Sequence, residues 1–429
     1  MAGANVTRIP ELRASLADPR FVLIALGAII LLLYPATVVV PLPAFLRPVL
    51  GGIWGQTYLV SLVAKMLIFA IAAVSLDLIL GYGGMVSFGH AAYIGLGAYA
   101  VAVFSKYGVD NGYLQLAAAI VGSALVALFI GAISLRTSGV YFIMITLAFT
   151  QMLYYLGISL QPFGGDDGMN TRRSDFGIAL LGIDFTLNDN VFTCEKRIDK
   201  SCKIDERDGA AIYYASYLAL VAAVWFCRRL VNSRFGLVIR GAMSNPVRMQ
   251  AVGFPIYRYR LTAFVLAGTI CGVGGFLFAN HQQFLSPVYM NWLRSGDFLI
   301  MVILGGVGTI YGGVIGAIGL LTLEEILEGF VGKDYWQMVL GPLLVLLVLF
   351  ANRGIYSLLP HQLRSVPMFV LRFALFIVAL MGFIWLMSKS SPILKPAGNI
   401  PHLPLYVIFA SILIALALRY WQESRTRHG

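Results

Sequence analysis

Long stretches without a charged side chain constrain the fold of this sequence more than any other feature. The run from Phe21 to Leu46 carries no charge, and further apolar segments cover residues 58–80, 88–105, 114–135 and 138–160. A helix of about 20 apolar residues crosses the hydrocarbon core of a bilayer. Charged residues make up 12% of the chain, whereas soluble domains contain about a quarter. The sequence therefore predicts a protein that crosses a membrane many times.

The same pattern continues through the second half of the chain. The glycine-rich stretch 295–327 is predicted to form a broken helical pair. The run at 21–46 is longer than the apolar part of a signal peptide, so we expect it to remain as a spanning helix. Further apolar segments lie at about 211–230, 261–281, 335–351, 367–387 and 404–421. We predict an all-α polytopic membrane protein with about 10–12 transmembrane or re-entrant helices.

The distribution of charge predicts the orientation. The segment Arg228–Arg260 contains seven arginines and no acidic residue, whereas the polar segment 161–209 contains ten acidic and seven basic residues. Arginine and lysine near helix ends remain on the cytoplasmic side of a membrane. The sequence thus places 228–260 and both termini in the cytoplasm, and 161–209 outside. Because this bias accounts for much of the net charge of +11, we exclude nucleic acid as a partner.

Within the basic segment, capping signals predict a short helix. Asn245 is a favourable N-cap, and Pro246 follows it at the first helical position. Gly253 suits a left-handed C-terminal cap, and Pro255 prevents the helix from continuing. A two-turn helix is marginal by itself in water. We interpret it as an element that docks against a partner; the alternative is a solvated loop near the lipid headgroups.

Two segments, 81–97 and 305–319, are rich in glycine. Gly308, Gly312 and Gly316 repeat every four residues and are predicted to share one helix face, a pattern that lets membrane helices approach closely. Neither segment ends in the Gly-Lys-Ser/Thr of a phosphate-binding loop. We therefore expect no nucleotide or cofactor site in this chain, and the scattered cysteines and histidines predict no metal site.

Polar residues inside the predicted spans are candidates for a translocation pathway. Charged groups in a span are expensive and tend to face a cavity or the interior of the bundle. Asp77, Ser87 and His90 lie in or beside the first glycine-rich segment, where unwound backbone is able to line a pathway. For Asp77, a position at the membrane interface is the alternative.

Two further sets of residues lie on the predicted outer side. Cys194 and Cys202 either form a disulfide in an oxidising periplasm or remain free thiols. Charged residues at helix ends are either solvated or dock an external partner, and the candidates here are Arg294, Asp297, Glu325 and Glu328.

Three long stretches resemble LivM-type permeases of branched-chain amino acid ABC importers. They are SLDLILGYGGMVSFGHAAYIGLGAYA at 75–100, SRFGLVIRGAMSNPVRMQAVGFPIYRYRLTAF at 233–264 and SPVYMNWLRSGDFLIMVILGGVGTIYGGVIGA at 286–317. The stretch FGGDDGM at 163–169 resembles an element of the external loop of the same family. The resemblance covers about residues 58–353, in the same order as in the family.

This resemblance divides the chain into three parts. Residues 1–57 would form an N-terminal tail and a first spanning helix, and residues 58–353 the permease core, with the external loop 161–209 and the cytoplasmic coupling loop 228–260. Residues 354–429 extend beyond the usual end of the family and would add two spanning helices.

The resemblance implies a membrane subunit of an ATP-driven importer in the bacterial inner membrane, and not an enzyme. A second, LivH-like permease subunit, two cytoplasmic ABC ATPase subunits that bind ATP and magnesium, and a periplasmic binding protein would complete the importer. The short basic-segment helix would contact an ATPase, and the residues that match the family there are Arg240, Asn245, Arg248, Gly253 and Pro255. Family members usually carry an acidic residue before the asparagine, where this chain has Ser244.

The implied cargo is a branched-chain amino acid or a related small polar or aromatic solute, and the binding protein would select it. An ion-coupled secondary transporter that works without an ATPase is the alternative function, with Asp77 and His90 as proton-coupling groups. The capped cytoplasmic helix and the lack of a clear inverted repeat count against this alternative.

Overall fold

Apolar α-helices make up most of the part of the chain that the structure, a computed structural model, describes: residues 27–29, 31–32, 57–176 and 210–331. Residues Thr57–Ile318 form one compact unit, and Met1–Gln56 together with Gly319–Gly429 form another. The helices confirm the predicted all-α class. The predicted domain boundaries at residues 58 and 353 stay predictions.

Most helices coincide with the apolar segments of the sequence. The helices are α1 (Thr57–Leu80), α2 (His90–Lys106), α3 (Gly112–Ser134), α4 (Val140–Ser159), α5 (Ala210–Val231), α6 (Arg234–Ser244), α7 (Pro246–Ala251), α8 (Ile256–Gln282), α9 (Trp292–Gly305) and α10 (Ile310–Val331). Their ends follow local chemistry. The side chain of Asn111, for example, accepts hydrogen bonds from the backbone N–H groups of Tyr113 and Leu114 and thereby caps α3.

Five described helices are long and apolar enough to cross a membrane, namely α1, α3, α4, α5 and α8. Helices α9 and α10 pass the same test together, but they meet at a bend of 115°. They form the broken pair that was predicted between residues 295 and 327. The protein is therefore a multi-pass membrane protein. The predicted spans at 21–46, 335–351, 367–387 and 404–421 lie mostly or wholly outside the described residues.

Helix α8 lies at the centre of the unit and packs against α1, α2 and α3. Glycines let the backbones of α8 and α2 touch. A side chain at Gly275 would collide with the carbonyl oxygen of Ile94, and one at Gly97 would collide with that of Gly272. Close van der Waals packing at such small-residue crossings stabilises the association of helices in lipid, where the hydrophobic driving force between helices is missing.

The prediction that Gly308, Gly312 and Gly316 share one helix face was wrong. Gly308 lies in the break between α9 and α10 and has a φ of +77°. Because only glycine adopts this backbone conformation without strain, Gly308 allows the chain to turn between the two helices. Gly312 and Gly316 do lie on α10. A side chain at Gly312 would collide with the carbonyl oxygen of Gly306 in the preceding turn, and one at Gly316 would collide with that of Met301 in α9.

The segment 161–176 packs across the end of the bundle at which α8 has its C-terminus. Strand β1 (Met169–Asn170) pairs antiparallel with β2 (Phe284–Leu285). The backbone N–H of Ser174 donates to Asn280 Oδ1 at 2.7 Å, and its hydroxyl donates to the side chain of Gln115. The backbone N–H of Arg172 donates to Ser105 Oγ at 2.9 Å. This segment, the rim of the bundle, thus ties α2, α3 and α8 together. The remainder of the predicted external loop, with Cys194 and Cys202, lies outside the described residues.

The basic segment, predicted as a loop with one short helix, is largely helical. Helix α6 precedes the predicted helix and buries Val238, Ile239 and Ala242. These residues, with Phe235, follow the i, i+3, i+4, i+7 spacing of an amphipathic helix. The high density of arginines in the same stretch concealed this pattern.

Candidate functional site

Helix α7 is held by the caps that the sequence predicts. The side chain of Asn245 accepts from the backbone N–H of Arg248 at 3.0 Å, and Pro246 occupies the first turn. At the other end, Gly253 has a φ of +96° and its N–H donates to the carbonyl of Gln250 at 2.9 Å. Pro255 then stands immediately before α8. The short helix therefore has defined ends although it has only six residues.

Two inward contacts anchor α7, and the rest of it is exposed. A methyl group on Gly241 of α6 would lie 2.8 Å from Met249 Sδ, so Met249 fills the space beside that glycine. Phe254 packs edge-on against Tyr259 of α8, with ring centroids 6.3 Å apart. Val247 is 73% exposed, and the side chain of Arg248 is exposed as well. The outer surface of α7 thus combines apolar and basic groups with no described intramolecular cover.

Two arginines bind α6 to its neighbours. The guanidinium of Arg240 donates to the carbonyl oxygen of Val231 at 3.2 Å, at the end of α5. That of Arg260, on α8, donates to the carbonyl oxygen of Ala242 at 3.1 Å. Arg240 therefore satisfies a helix terminus within this chain. The hydroxyl of Ser244, the residue before Asn245, donates to the carbonyl oxygen of Arg240 at 2.9 Å.

Helix α6 contacts the first glycine-rich break. A methyl group on Gly84 would lie 3.0 Å from Cγ of Met243, the residue before the last in α6. In the same break, a side chain at Gly81 would collide with the backbone of Gly308. The break between α1 and α2 therefore touches α6 on one side and the bend between α9 and α10 on the other.

Hydroxyl groups from distant helices satisfy the backbone of the first break. Thr146 Oγ1 accepts from the N–H of Phe88 at 3.2 Å, and Thr150 Oγ1 donates to the carbonyl oxygen of Phe88 at 2.9 Å. Ser295 Oγ, on α9, accepts from the N–H of Ala91 at 3.0 Å. Non-helical backbone is tolerated at membrane depth only where such partners replace water. These three residues were not predicted from the sequence, in which the only signal is the pair of threonines four residues apart in an apolar helix.

The three predicted pathway residues lie around this break, and all are fully buried. Asp77 Oδ1 accepts from the N–H of Gly308 at 2.8 Å. Ser87 Oγ accepts from the N–H of Gly89 at 3.1 Å. His90 packs edge-on against Tyr93 at 5.7 Å, and neither ring nitrogen has a described hydrogen-bond partner. In this conformation none of the three side chains faces an open passage, and a pathway role for them stays a prediction.

Replacing Asp77 with asparagine should preserve most of the transport activity, because the amide oxygen is able to accept the same hydrogen bond from Gly308. Asp77→Leu leaves that buried N–H unpaired, which costs about 1–3 kcal/mol and should lower the thermal stability of the detergent-extracted protein. Uptake and melting temperature of both variants separate the two roles. Loss of uptake in a stable Asp77→Asn protein would instead identify a carboxylate that carries protons.

The predicted outer docking residues fall into two groups. Arg294 and Asp297 form an ion pair of 3.2 Å in the first turns of α9, with more than a third of each side chain exposed. Glu325 and Glu328 lie towards the end of α10 and are partly buried. Docking of an external protein at any of these residues stays a prediction.

Comparison with known proteins decides the family. Residues 58–349 match the family described as "Branched-chain amino acid transport system / permease component". The chain belongs to this family. The match confirms the resemblance drawn from the three long motifs, and it includes α1 to α10 with the candidate site. The protein is therefore a transporter permease component and not an enzyme.

Curated relatives within the family include both kinds of permease chain. The LivM permease protein of the high-affinity branched-chain amino acid transport system of Salmonella typhimurium is 25% identical over 71% of each chain, as is that of Escherichia coli. The corresponding LivH protein of Escherichia coli is 23% identical over 67% of this chain and 90% of its own length. The comparison with solved structures finds no match.

Proposed function

We propose that this chain is one of two permease subunits of an ABC importer in a bacterial inner membrane, and that α7 couples it to ATP hydrolysis. The second subunit would be a LivH-like permease, because relatives of both types match this chain. Two ATPase subunits would hold ATP and magnesium, and a periplasmic protein would deliver the substrate. Branched-chain amino acids, named for the relatives, are the first substrates to test.

The exposed, doubly capped helix α7 is the observation that carries this proposal. Its surface displays Val247, Arg248 and Val252, while Met249 and Phe254 fasten it to α6 and α8. A short helix that is rigidly mounted but uncovered is suited to sit in a groove of a partner. Since the arginines of the segment favour the cytoplasmic side, that partner would be a cytoplasmic protein.

Movement of α7 has a direct structural route to the membrane interior. Helix α6, which carries α7, contacts the first glycine break through Met243 and Gly84, and the break contacts Gly308 through Gly81. Shifting a two-state equilibrium from 1:99 to 99:1 requires about 5.5 kcal/mol of differential binding. The ATPases would supply it by contacting α7 differently in their open and closed states.

Crosslinking tests the proposal at the residue level. A photoreactive amino acid at position 247 should yield an adduct with a co-expressed ATPase subunit, because Val247 is exposed on α7. Val140 is a matched control, since it is 68% exposed at the start of α4. It follows the end of α3, and the side chain of Tyr257, on α8, is hydrogen-bonded to that end of α3. The adduct should form at 247 and not at 140. Equal labelling at both positions, or none at 247 in an intact complex, would contradict the assignment of α7.

Transport by the purified complex in proteoliposomes distinguishes the two candidate energy sources. Uptake should require ATP on the side that carries α7 and should continue when a protonophore is added. Uptake that continues without ATP and stops with the protonophore would favour the ion-coupled alternative.

A further inference from the structure

A basic cavity lies where α5 ends and α6 begins. It has a volume of about 520 Å³, and its described lining consists of Trp225, Arg228, Arg229, Asn232 and Ser233. Both charged residues of this lining are arginines. The sequence contains no acidic residue between Ala210 and Gly296, so no carboxylate of α5, α6, α7 or α8 neutralises them.

The length of α5 puts its two terminal arginines at the depth expected for the lipid headgroups. Helix α5 has 22 residues, which corresponds to a length of about 33 Å, close to the hydrocarbon thickness of about 30 Å. Arg228 and Arg229 are in its last turn. Trp225, one turn earlier, is 64% exposed, as expected for a ring in the interfacial belt.

An apolar stripe leads from the interior of the membrane into this cavity. Leu218, Val221 and Trp225 are exposed and occupy one face of α5, and Arg229 continues the same face at the cavity. From Leu218 to Arg229 the helix rises about 16 Å. A soluble protein docked at the arginines would leave most of this stripe uncovered, whereas a phospholipid covers the stripe with an acyl chain and the arginines with its phosphate.

One of the two arginines is held in place before any ligand arrives. The guanidinium of Arg228 donates to the hydroxyl of Tyr311, on α10, at 2.7 Å, and it lies 5.9 Å from the centre of that ring. This contact leaves other guanidinium N–H groups available and fixes their direction. Asn232 and Ser233 add neutral hydrogen-bonding groups to the same lining.

From these features we infer that the cavity binds the phosphate of an anionic phospholipid, such as phosphatidylglycerol, with an acyl chain along Leu218, Val221 and Trp225. Arg228 and Arg229 contact the phosphate, and the Trp225 ring lies at the glycerol level. Basic pockets on the cytoplasmic side of membrane proteins recognise anionic headgroups in this manner. The site is separate from the exposed surface of α7 and does not depend on the transported substrate.

Native mass spectrometry of the full chain in detergent tests the inference. The protein should retain phosphatidylglycerol in preference to phosphatidylcholine, and Arg229→Gln should reduce the retained phosphatidylglycerol about fivefold, as expected for one arginine near an anionic headgroup. Arg229→Lys should retain it. Arg258→Gln, which removes an exposed arginine of α8 that does not line the cavity, should leave retention unchanged. Because Arg228 also binds Tyr311, Arg229 is the safer position to alter.

Several outcomes would overturn the inference. Equal retention of both lipids, or equal losses in Arg229→Gln and Arg258→Gln, would show general charge attraction. Displacement of the lipid by millimolar glycerol phosphate would indicate a site for a free phosphate compound. If Arg229→Gln weakened ATPase binding in pull-down experiments without changing lipid retention, the cavity would be a protein contact.

Discussion

Replacing Arg248 with glutamate should abolish uptake while the protein still reaches the membrane. Arg248 is exposed on α7, and truncating one member of a buried interfacial charge pair costs about 2–5 kcal/mol. That loss is comparable with the roughly 5.5 kcal/mol needed to switch a two-state transporter. Uptake of labelled leucine by cells that express the whole transport system, with membrane levels checked by immunoblot, measures the effect.

Loss of α7 itself would not explain such a result. Arg248 is the third helical residue, whose N–H binds the Asn245 cap. Glutamate is favourable there, because it complements the helix dipole and completes a capping box. The control is Arg136→Glu, since Arg136 is exposed in the connection between α3 and α4 and undergoes the same reversal of charge. Normal uptake by Arg248→Glu would exclude α7 as the coupling element.

Substituting alanine for Gly275 should cause a large loss of stability. The methyl group would collide with the carbonyl oxygen of Ile94, a backbone atom that moves only if α2 and α8 separate. Overpacking of this kind costs about 1–3 kcal/mol. The melting temperature of detergent-extracted protein, followed by size-exclusion chromatography, should fall by several degrees, and the yield of monodisperse protein should fall with it.

Gly122→Ala provides the matched comparison. Gly122 is also inside a spanning helix, α3, but a methyl group there meets no atom within 4 Å. Because alanine is the better helix former, this variant should be as stable as the original protein or more stable. Equal losses in the two variants would mean that the contact between α2 and α8 does not limit stability.

The sequence predicts the long helices well because a single physical requirement determines them. A bilayer demands long apolar segments, and the predicted spans at 58–80, 114–135 and 138–160 correspond closely to α1, α3 and α4. The ends of α7 are predictable for a different reason. Its caps are formed by residues within a few positions of each other, so that Asn245 and Gly253 carry the information locally.

The candidate site was less predictable because its contacts join distant parts of the chain. The hydrogen bonds of Phe88 with Thr146 and Thr150 connect residues about 60 positions apart, and that of Ala91 with Ser295 spans 204 positions. Likewise, nothing in the sequence near Asp77 indicates that its carboxylate accepts from Gly308. Hydroxyl side chains in spanning helices indicate that some backbone groups need a hydrogen-bond partner, but they do not indicate which groups these are.

The rim formed by residues 161–176 has a mechanical consequence. Ser105, Gln115 and Asn280 bind the segment 161–176 through hydrogen bonds, so the corresponding ends of α2, α3 and α8 are fastened to one another. At the opposite end, Met243 reaches Gly84 by a flexible side chain. Helices fastened to one another at one end pivot about that end when the other end is displaced. A displacement of α7 should therefore produce its largest movement at the end nearest α6 and should diminish towards the rim.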